Sequence, residues 1–325
     1  SSPSCPHKFS VAPMMDYTNQ YQRYLMRLMT KKAVLYTEMV TSMALVNAKK
    51  ELMGFAAEFD IEQPVVLQLG GSSPKSMRDA AMLAKQYGYT EININVGCPS
   101  SKVAGAGCFG AALMLEPILV GEIASEIISA TGLPTTVKCR IGVNDTDSYE
   151  SLVHFIRTVH EMSGMNHFIV HARKAILNAS FSPADNRKIP PLIYPVVYAL
   201  CKDFPQLQFT VNGGITDFDS IQEHYDNGVS GVMVGRAVVE DPFYWRRVDS
   251  ELYGEKLEEP VTQADIFQRY ANYARKIEDI HGKRCRNMVV KPIMNLSRGL
   301  PNAKMFRNSL SQGARDHSKG IGDVI

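Results

Sequence analysis

Eight short β-rich runs alternate with longer amphipathic stretches through roughly the first 240 residues, the order expected of a parallel sheet wrapped by helices. The runs fall at 9–13, 33–37, 64–68, 91–95, 135–138, 167–171, 208–212 and 231–234. Between them, 74–87 and 117–131 carry apolar residues at helical spacing and begin with Pro. Eight β/α units over this length fit a (β/α)8 barrel. An open doubly wound sheet would need a glycine-rich fingerprint after the first strand, and Ala12-Pro13-Met14-Met15-Asp16 stands there instead. Past Pro260 the strand pattern stops. The spacing predicts one long helix over 262–280, with Thr262 as N-cap and Asp265 three residues on, then shorter helices over 287–298 and 302–310. The expected organisation is a barrel domain over 1–250, an all-α helical domain over 260–311 and a flexible tail over 312–325. The barrel would hold its eight strands without the C-terminal helices.

Composition narrows the class. Of 325 residues, 45% are hydrophobic and 21% charged, which excludes a disordered or fibrous chain. No apolar run approaches the about 18 residues of a membrane helix, and residues 1–10 lack the apolar segment of a secretory signal. The six cysteines are scattered without a C-x-x-C, against a structural zinc knuckle or a disulfide scaffold and in favour of a reducing compartment; no metal is expected. Net charge is only +2, but it is unevenly spread. Between Arg269 and Arg307 ten Lys and Arg face two acids, so this segment is +8 and the remainder −6. A basic segment beside a slightly acidic body suits a polyanionic partner or, equally, a solvated helical face.

In such a barrel the chemistry gathers where the strands end. Read in order, those ends carry Pro13 and Met14, Glu38, Gln68, Asn95 to Cys98, Lys138 with Arg140, His171 with Arg173, Asn212-Gly213-Gly214, and Gly235-Arg236. Nearly every one is polar or exposes backbone. The Gly213-Gly214 and Gly235-Arg236 ends are placed to cradle a phosphate, although an Asn-Gly-Gly alone is also an ordinary turn. Lys138 could stabilise charge on a reduced ring, form a Schiff base, or pair with a core carboxylate. Gln68 can both donate to and accept from a flat heterocycle edge, and His171 reads equally as a half-buried structural histidine. Cys98, between Gly97 and Pro99 on a strand-to-loop turn, suits a nucleophile or a general acid. Cys108 is its rival by residue type, in the looser setting Ala104-Gly105-Ala106-Gly107.

Several strings at these ends match one family. Ala12-Pro13-Met14-Met15-Asp16-Tyr17-Thr18, Tyr36-Thr37-Glu38-Met39-Val40, Gln68-Leu69-Gly70-Gly71 and Asn93-Ile94-Asn95-Val96-Gly97-Cys98-Pro99-Ser100 resemble motifs of the tRNA-dihydrouridine synthases. So do Val137 to Gly142, Val170 to Ala175, Val211 to Ile215 and Val234 to Ala237, and the likeness runs from Val11 to Pro242. Asp185-Asn186-Arg187-Lys188-Ile189-Pro190-Pro191-Leu192 resembles the bacterial subfamily acting in the D-loop, around position 20 and its neighbour. The resemblance implies an α/β fold, a (β/α)8 TIM barrel with a C-terminal all-α helical bundle. It also implies FMN as cofactor, NADPH or NADH as reductant, and tRNA as partner. FMN would meet Pro13, Met14, Met15, Gln68, Lys138, His171, Asn212, Gly213, Gly214, Gly235 and Arg236. Cys98 would give the proton to uracil C5. The tRNA would meet Asn95, Arg173, Lys174, Asn186, Arg187, Lys291, Arg298 and Arg307. A monomer is expected, off the membrane, cytoplasmic in a bacterium, with a plastid or mitochondrial copy as the alternative. Ala112, Cys139 and the string Lys291-Pro292-Ile293-Met294-Asn295-Leu296 depart from the family pattern.

Two other readings compete. A small-molecule FMN reductase, of the dihydroorotate dehydrogenase or old-yellow-enzyme kind, explains a barrel but not the +8 segment. An RNA-binding protein or chaperone with dispensable catalysis leaves Cys98, Lys138 and the glycine turns without a purpose.

Overall fold

The computed structural model describes residues 7–48, 59–99, 109–178, 180–256 and 261–325. Eight parallel strands close a barrel: β1 (Phe9–Val11), β2 (Val34–Tyr36), β4 (Val65–Gly70), β5 (Ile92–Asn95), β6 (Thr135–Arg140), β7 (His167–His171), β8 (Gln208–Asn212) and β9 (Gly231–Val234). Pairing of β1 with both β2 and β9, and of β2 with β4, completes the ring. A ninth strand, β3 (Val40–Thr41), adds to the end of β4 and has no counterpart among the expected runs. The eight expected strands are all present, with ends moved by at most two residues. Pro13 lacks the N–H that would carry β1 further along the ladder.

Parallel register sets which side chains face inward. Gln68, Asn93 and Thr136 are neighbours across β4, β5 and β6. Two residues on, Asn95 neighbours Lys138, and His171 neighbours Asn212 across β7 and β8. Period-two alternation puts Thr136 with Lys138, and Asn93 with Asn95, on the same face. Ala12, Val34, Tyr36, Val66, Ile169 and Met233 form an apolar cluster in which Met14 also packs. The polar inward groups lie chiefly on β4 to β8. Helices Pro74–Gln86 and Tyr149–Ser163 start at Ser73 and Ser148, whose hydroxyls accept from the N–H three residues on.

The chain divides into two compact units. One holds the barrel strands through Gly235. The other holds 15–33, the helix Phe59–Glu62 and the described chain from Arg236 onward. Within this second unit the helix Gln20–Met29, first of the chain, packs on the long helix Gln263–His281. Tyr24 stacks on Tyr273 with ring centroids 3.7 Å apart, and Tyr21 tilts against the same ring at 6.5 Å. Arg23 pairs with Glu62 at 2.9 Å, both side chains buried. Arg27 donates to the carbonyls of Thr30, Ala33 and Glu62, and burial lowers its pKa to about 10. Asp249 receives the Thr30 hydroxyl and the N–H groups of Lys31 and Lys32. Tyr21 and Tyr24 thus pack on the helix Gln263–His281 within this unit, whereas the eight barrel strands all lie in the other.

The C-terminal helices follow their signals with two differences. Thr262 and Asp265 form the expected reciprocal cap of Gln263–His281. The single helix expected over 287–298 is instead an α-turn, Arg286–Val290, and a 3₁₀ turn, Lys291–Asn295. Pro292, with no N–H, tightens the chain there. The tail expected to be loose is held. Helix Ala303–Arg315 runs past Ser311, a last turn follows at Ile321–Val324, and Ile321 is buried. Arg286, itself buried, binds Glu278 Oε1 at 2.5 Å and the carbonyls of Asp316 and Lys319. Glu278 Oε2 accepts from Ile321 N at 2.9 Å.

Arg286→Met should cost this unit about 3–5 kcal/mol, because it leaves Glu278 and two carbonyls without their shared donor. Urea unfolding followed by tyrosine fluorescence measures it, and a loss below 1 kcal/mol would mean the tail is held by apolar contacts alone.

Candidate active site

The strand β5 delivers Asn95 to the mouth, and the chain turns there. Asn95 Oδ1 accepts from Gly97 N at 3.2 Å and Cys98 N at 3.0 Å, bending the loop back over the strand end. Asn95 Nδ2 in turn donates to Gln68 Oε1 at 2.9 Å, and Gln68 Nε2 donates to Asn93 Oδ1 at 2.8 Å. Gln68 is buried, so its orientation is set by these two bonds. One N–H and one lone pair of its amide remain for another group. Two further bonds hold the thiol loop. Arg140 Nε donates to Gly97 O at 2.8 Å, and Ala111 N donates to Cys98 O at 2.8 Å. The Cys98 thiol is half-buried and free. Its rival, Cys108, and the glycine-rich stretch before it lie outside the described residues.

Lys138 stands beside Asn95 in register. Its ammonium makes no hydrogen bond among the described residues. Burial, then the neighbouring Arg140 charge, lowers its pKa to about 8. A pKa of about 8 leaves the amine mostly protonated at neutral pH, roughly ten to one. Among the roles open to it, pairing with a core carboxylate is removed, since no acid meets it among the described residues. Arg140 is also lowered by burial, to about 10, and its guanidinium donates onward to the carbonyls of Lys174 and Asn186. Arg140 thus ties three loops together, a role the residue type alone does not reveal.

On the other side of the mouth, Asn212 Nδ2 donates to Met233 O at 2.8 Å. Gly213 and Gly214 follow at φ +110° and +74°. A Cβ on Gly213 would lie 2.5 Å from His171 Cδ2, and one on Gly214 2.4 Å from Leu192 Cδ1. Both the left-handed backbone and the close approach require glycine. Tyr194 OH binds Gly213 O at 2.7 Å and fixes the turn. A Cβ on Gly235 would make only ordinary contact with Met14 and Ala12, so this glycine is not required by crowding. Pro13 and Met14 are half-buried and Met15 is 55% exposed. Arg236 opens the turn Arg236–Glu240, is exposed, and makes no hydrogen bond among the described residues.

The expected tRNA residues are dispersed. In the barrel unit, Lys174 Nζ pairs with Asp147 at 2.7 Å, and Arg173 donates to the carbonyls of Lys188 and Pro190. Asn186 is fully buried, donating to Ile176 O and accepting from Ile176 N at 2.7 Å, so it staples its own loop. Arg187 beside it is exposed. In the second unit, Lys291 Nζ binds Asp16 O and lies 4.6 Å from the Tyr17 ring, Arg298 binds Glu240 O, and Arg307 is half-buried. The described residues hold no cluster of His, Cys, Asp and Glu fit for a metal, and no helix long and apolar enough to cross a membrane.

A parallel barrel whose mouth gathers an oriented thiol, a buried ammonium unpaired among the described residues and glycine-lined turns has the layout of a barrel enzyme. The family model for dihydrouridine synthase matches residues 10–323. A tRNA-dihydrouridine(20/20a) synthase of Synechocystis sp. is 44% identical over 312 residues, covering 96% of this chain and 90% of the relative. The enzyme of that name from Vibrio vulnificus is 40% identical over 314 residues, covering 97% and 94%. Among solved structures, a 2-naphthoyl-CoA reductase complex superposes with TM-score 0.56 at 10% identity, over 74% of this chain and 49% of that one, and shows the shared fold. The chain belongs to the dihydrouridine synthase family, and it is an oxidoreductase of that class.

The Lys138 ammonium should titrate with a midpoint near about 8, well below an exposed lysine, because burial and Arg140 both penalise its charge. The Cε resonance of specifically labelled lysine, followed against pH and assigned with Lys138→Met, measures this. A midpoint near the ordinary about 10.4 would place the group in water.

Proposed function

We propose that this enzyme reduces the C5–C6 double bond of D-loop uridines of tRNA, at positions 20 and 20a, with FMN as cofactor and NADPH or NADH as reductant. The observation that carries the reading is the mouth itself: the Cys98 loop held by Asn95 and Arg140, next to the buried Lys138 ammonium. The positions follow the names of the relatives at 40–44% identity, which span nearly the whole chain.

The mouth fits a flavin mononucleotide. Gly213 and Gly214 hold the left-handed turn after β8 that would bring backbone N–H groups to a phosphate. Arg236, exposed and without a hydrogen bond among the described residues, follows Gly235 directly in the chain and would supply charge for it. Gln68 offers the spare N–H and lone pair of its fixed amide to a ring edge, and Lys138 offers positive charge to an electron-rich ring. His171, Asn212, Pro13, Met14 and Met15 would complete the contacts. When bound, FMN supplies hydride, replenished from NADPH or NADH.

The remaining chemistry falls to the chain. Hydride addition at uracil C6, the electron-poor end of the C5=C6–C4=O system, leaves C5 in need of a proton. The Cys98 thiol gives up that proton and is later reprotonated from solvent. Asn95 and Arg140 aim the loop, so the thiol is presented on a fixed turn. Because the target uridine stacks within a folded RNA, the nucleotide must turn out into the mouth. Exposed Arg187, half-buried Arg307, and the cations Lys174, Arg173, Lys291 and Arg298 through exchange of their present partners, are the groups available to phosphates. Asn186 serves by holding the loop that carries Arg187. A small-molecule reductase would need neither this rim nor a tRNA.

Cys98→Ala should leave NADPH oxidation intact and lower dihydrouridine formation at least about 100-fold, the scale of a lost general acid. Normal turnover by that variant would move the acid role elsewhere. Unmodified tRNA transcripts treated with enzyme and NADPH should carry dihydrouridine at positions 20 and 20a on sequencing. Product elsewhere in the D-loop or in the variable loop would overturn the positional assignment alone, and equal activity on free uridine would favour the small-molecule reading.

A further inference from the structure

The amides at the mouth rest on a column of polar side chains that continues to the opposite end of the barrel. Asn93 Nδ2 donates to Thr136 Oγ1 at 3.0 Å, and the Thr136 hydroxyl donates to Glu91 Oε1 at 3.2 Å. The other oxygen of Glu91 meets His7 Nε2 at 2.6 Å. Glu91 precedes β5 and His7 precedes β1, so this pair lies at the end of the barrel away from Cys98. His7, Gln68, Glu91, Asn93 and Thr136 are each at most 9% exposed.

Every bond in the column has the same direction. At the top, Gly97 and Cys98 present N–H groups, which can only donate, so Asn95 must turn its oxygen to them. Its nitrogen then faces Gln68, which must answer with oxygen and turn nitrogen to Asn93. Asn93 must likewise turn nitrogen to Thr136, whose hydroxyl accepts and hands its own proton on. The last member, Glu91, accepts the Thr136 hydroxyl on Oε1 and meets His7 Nε2 with Oε2. Donor-only N–H groups at one end and an accepting carboxyl oxygen at the other agree on one polarity, with no clash between.

We infer that Glu91, Thr136 and Asn93 are positioning residues for the Cys98 loop: a carboxylate at the base of the barrel fixes the orientation of three stacked amides and so the turn that presents the thiol. The inference rests on the reading of Cys98 as proton donor. An amide in place of Glu91 can turn its NH2 toward Thr136. The hydroxyl then donates upward, Asn93 and Gln68 flip, and Asn95 meets the Gly97 and Cys98 N–H groups with its own NH2. Both polarities become accessible at the base, and only the Gly97 and Cys98 N–H groups then oppose the flipped one, in which the loop loses its acceptor.

The test uses the full-length protein as purified and compares E91Q, T136V and T136S with the parent. Hydrogen exchange of the Gly97 and Cys98 amides should quicken about tenfold in E91Q and T136V, and return to the parent value in T136S, which keeps the hydroxyl. Single-turnover uridine reduction should fall about tenfold in the same two variants, with KM for tRNA unchanged within about twofold. Unchanged exchange at Gly97 and Cys98 in both variants would overturn the inference and leave the column as packing, as would T136S behaving like T136V. If E91Q does not fold, the T136V and T136S pair decides. If the parent itself fails to reduce uridine in tRNA, the proposed function falls, while the exchange measurements still decide the column.

Discussion

Inside a closed barrel of parallel strands there is no water to satisfy a polar side chain, so each inward amide or hydroxyl must find its partner on a neighbouring strand. Parallel register supplies that partner when polar residues occupy matching positions, as Gln68, Asn93 and Thr136 do. The apolar cluster around Tyr36, Ile169 and Met233 fills another part of the interior. The mouth inherits its order from this. Asn95 is fixed from below by Gln68 and fixes the Cys98 turn above it.

Charge in the mouth obeys the same constraint with a different outcome. Lys138 and Arg140 are two residues apart on one face of β6, and burial disfavours the charge of both. Arg140 offsets its burial by binding three carbonyls, of Gly97, Lys174 and Asn186. The Lys138 ammonium has no such compensation among the described residues. Desolvation and the Arg140 charge together hold its pKa well below that of an exposed lysine.

The second unit shows how far a charge count departs from a surface. Ten cations were counted between Arg269 and Arg307. Arg286 is buried and spends its guanidinium on Glu278 and the tail, while Lys291 and Arg298 bind backbone carbonyls. The same unit recruits the helix Gln20–Met29 through tyrosine stacking and the buried Arg23–Glu62 pair. Its composition was legible only in part because the segments 15–33 and 59–62 that help build it lie far from Arg236 onward in the chain.

The chain's own pattern was enough for the barrel. Eight β-rich runs spaced by helical stretches admit few other closures, because parallel strands must be joined by crossovers of one hand. Cap residues such as Thr262 with Asp265, and glycines such as Gly213, announce their conformations locally, so they could be read in isolation. The family strings around Cys98 and Lys138 were equally visible. Contacts between distant residues were not. Nothing in the residue types told that Asn186 is buried, that Arg140 joins three loops, that the residues after Ser311 are pinned by Arg286, or that Glu91 reaches Thr136 and His7. Local conformation follows from neighbours along the chain, whereas burial and hydrogen-bond partnership arise only when closure of the fold excludes water and brings remote groups within bonding distance.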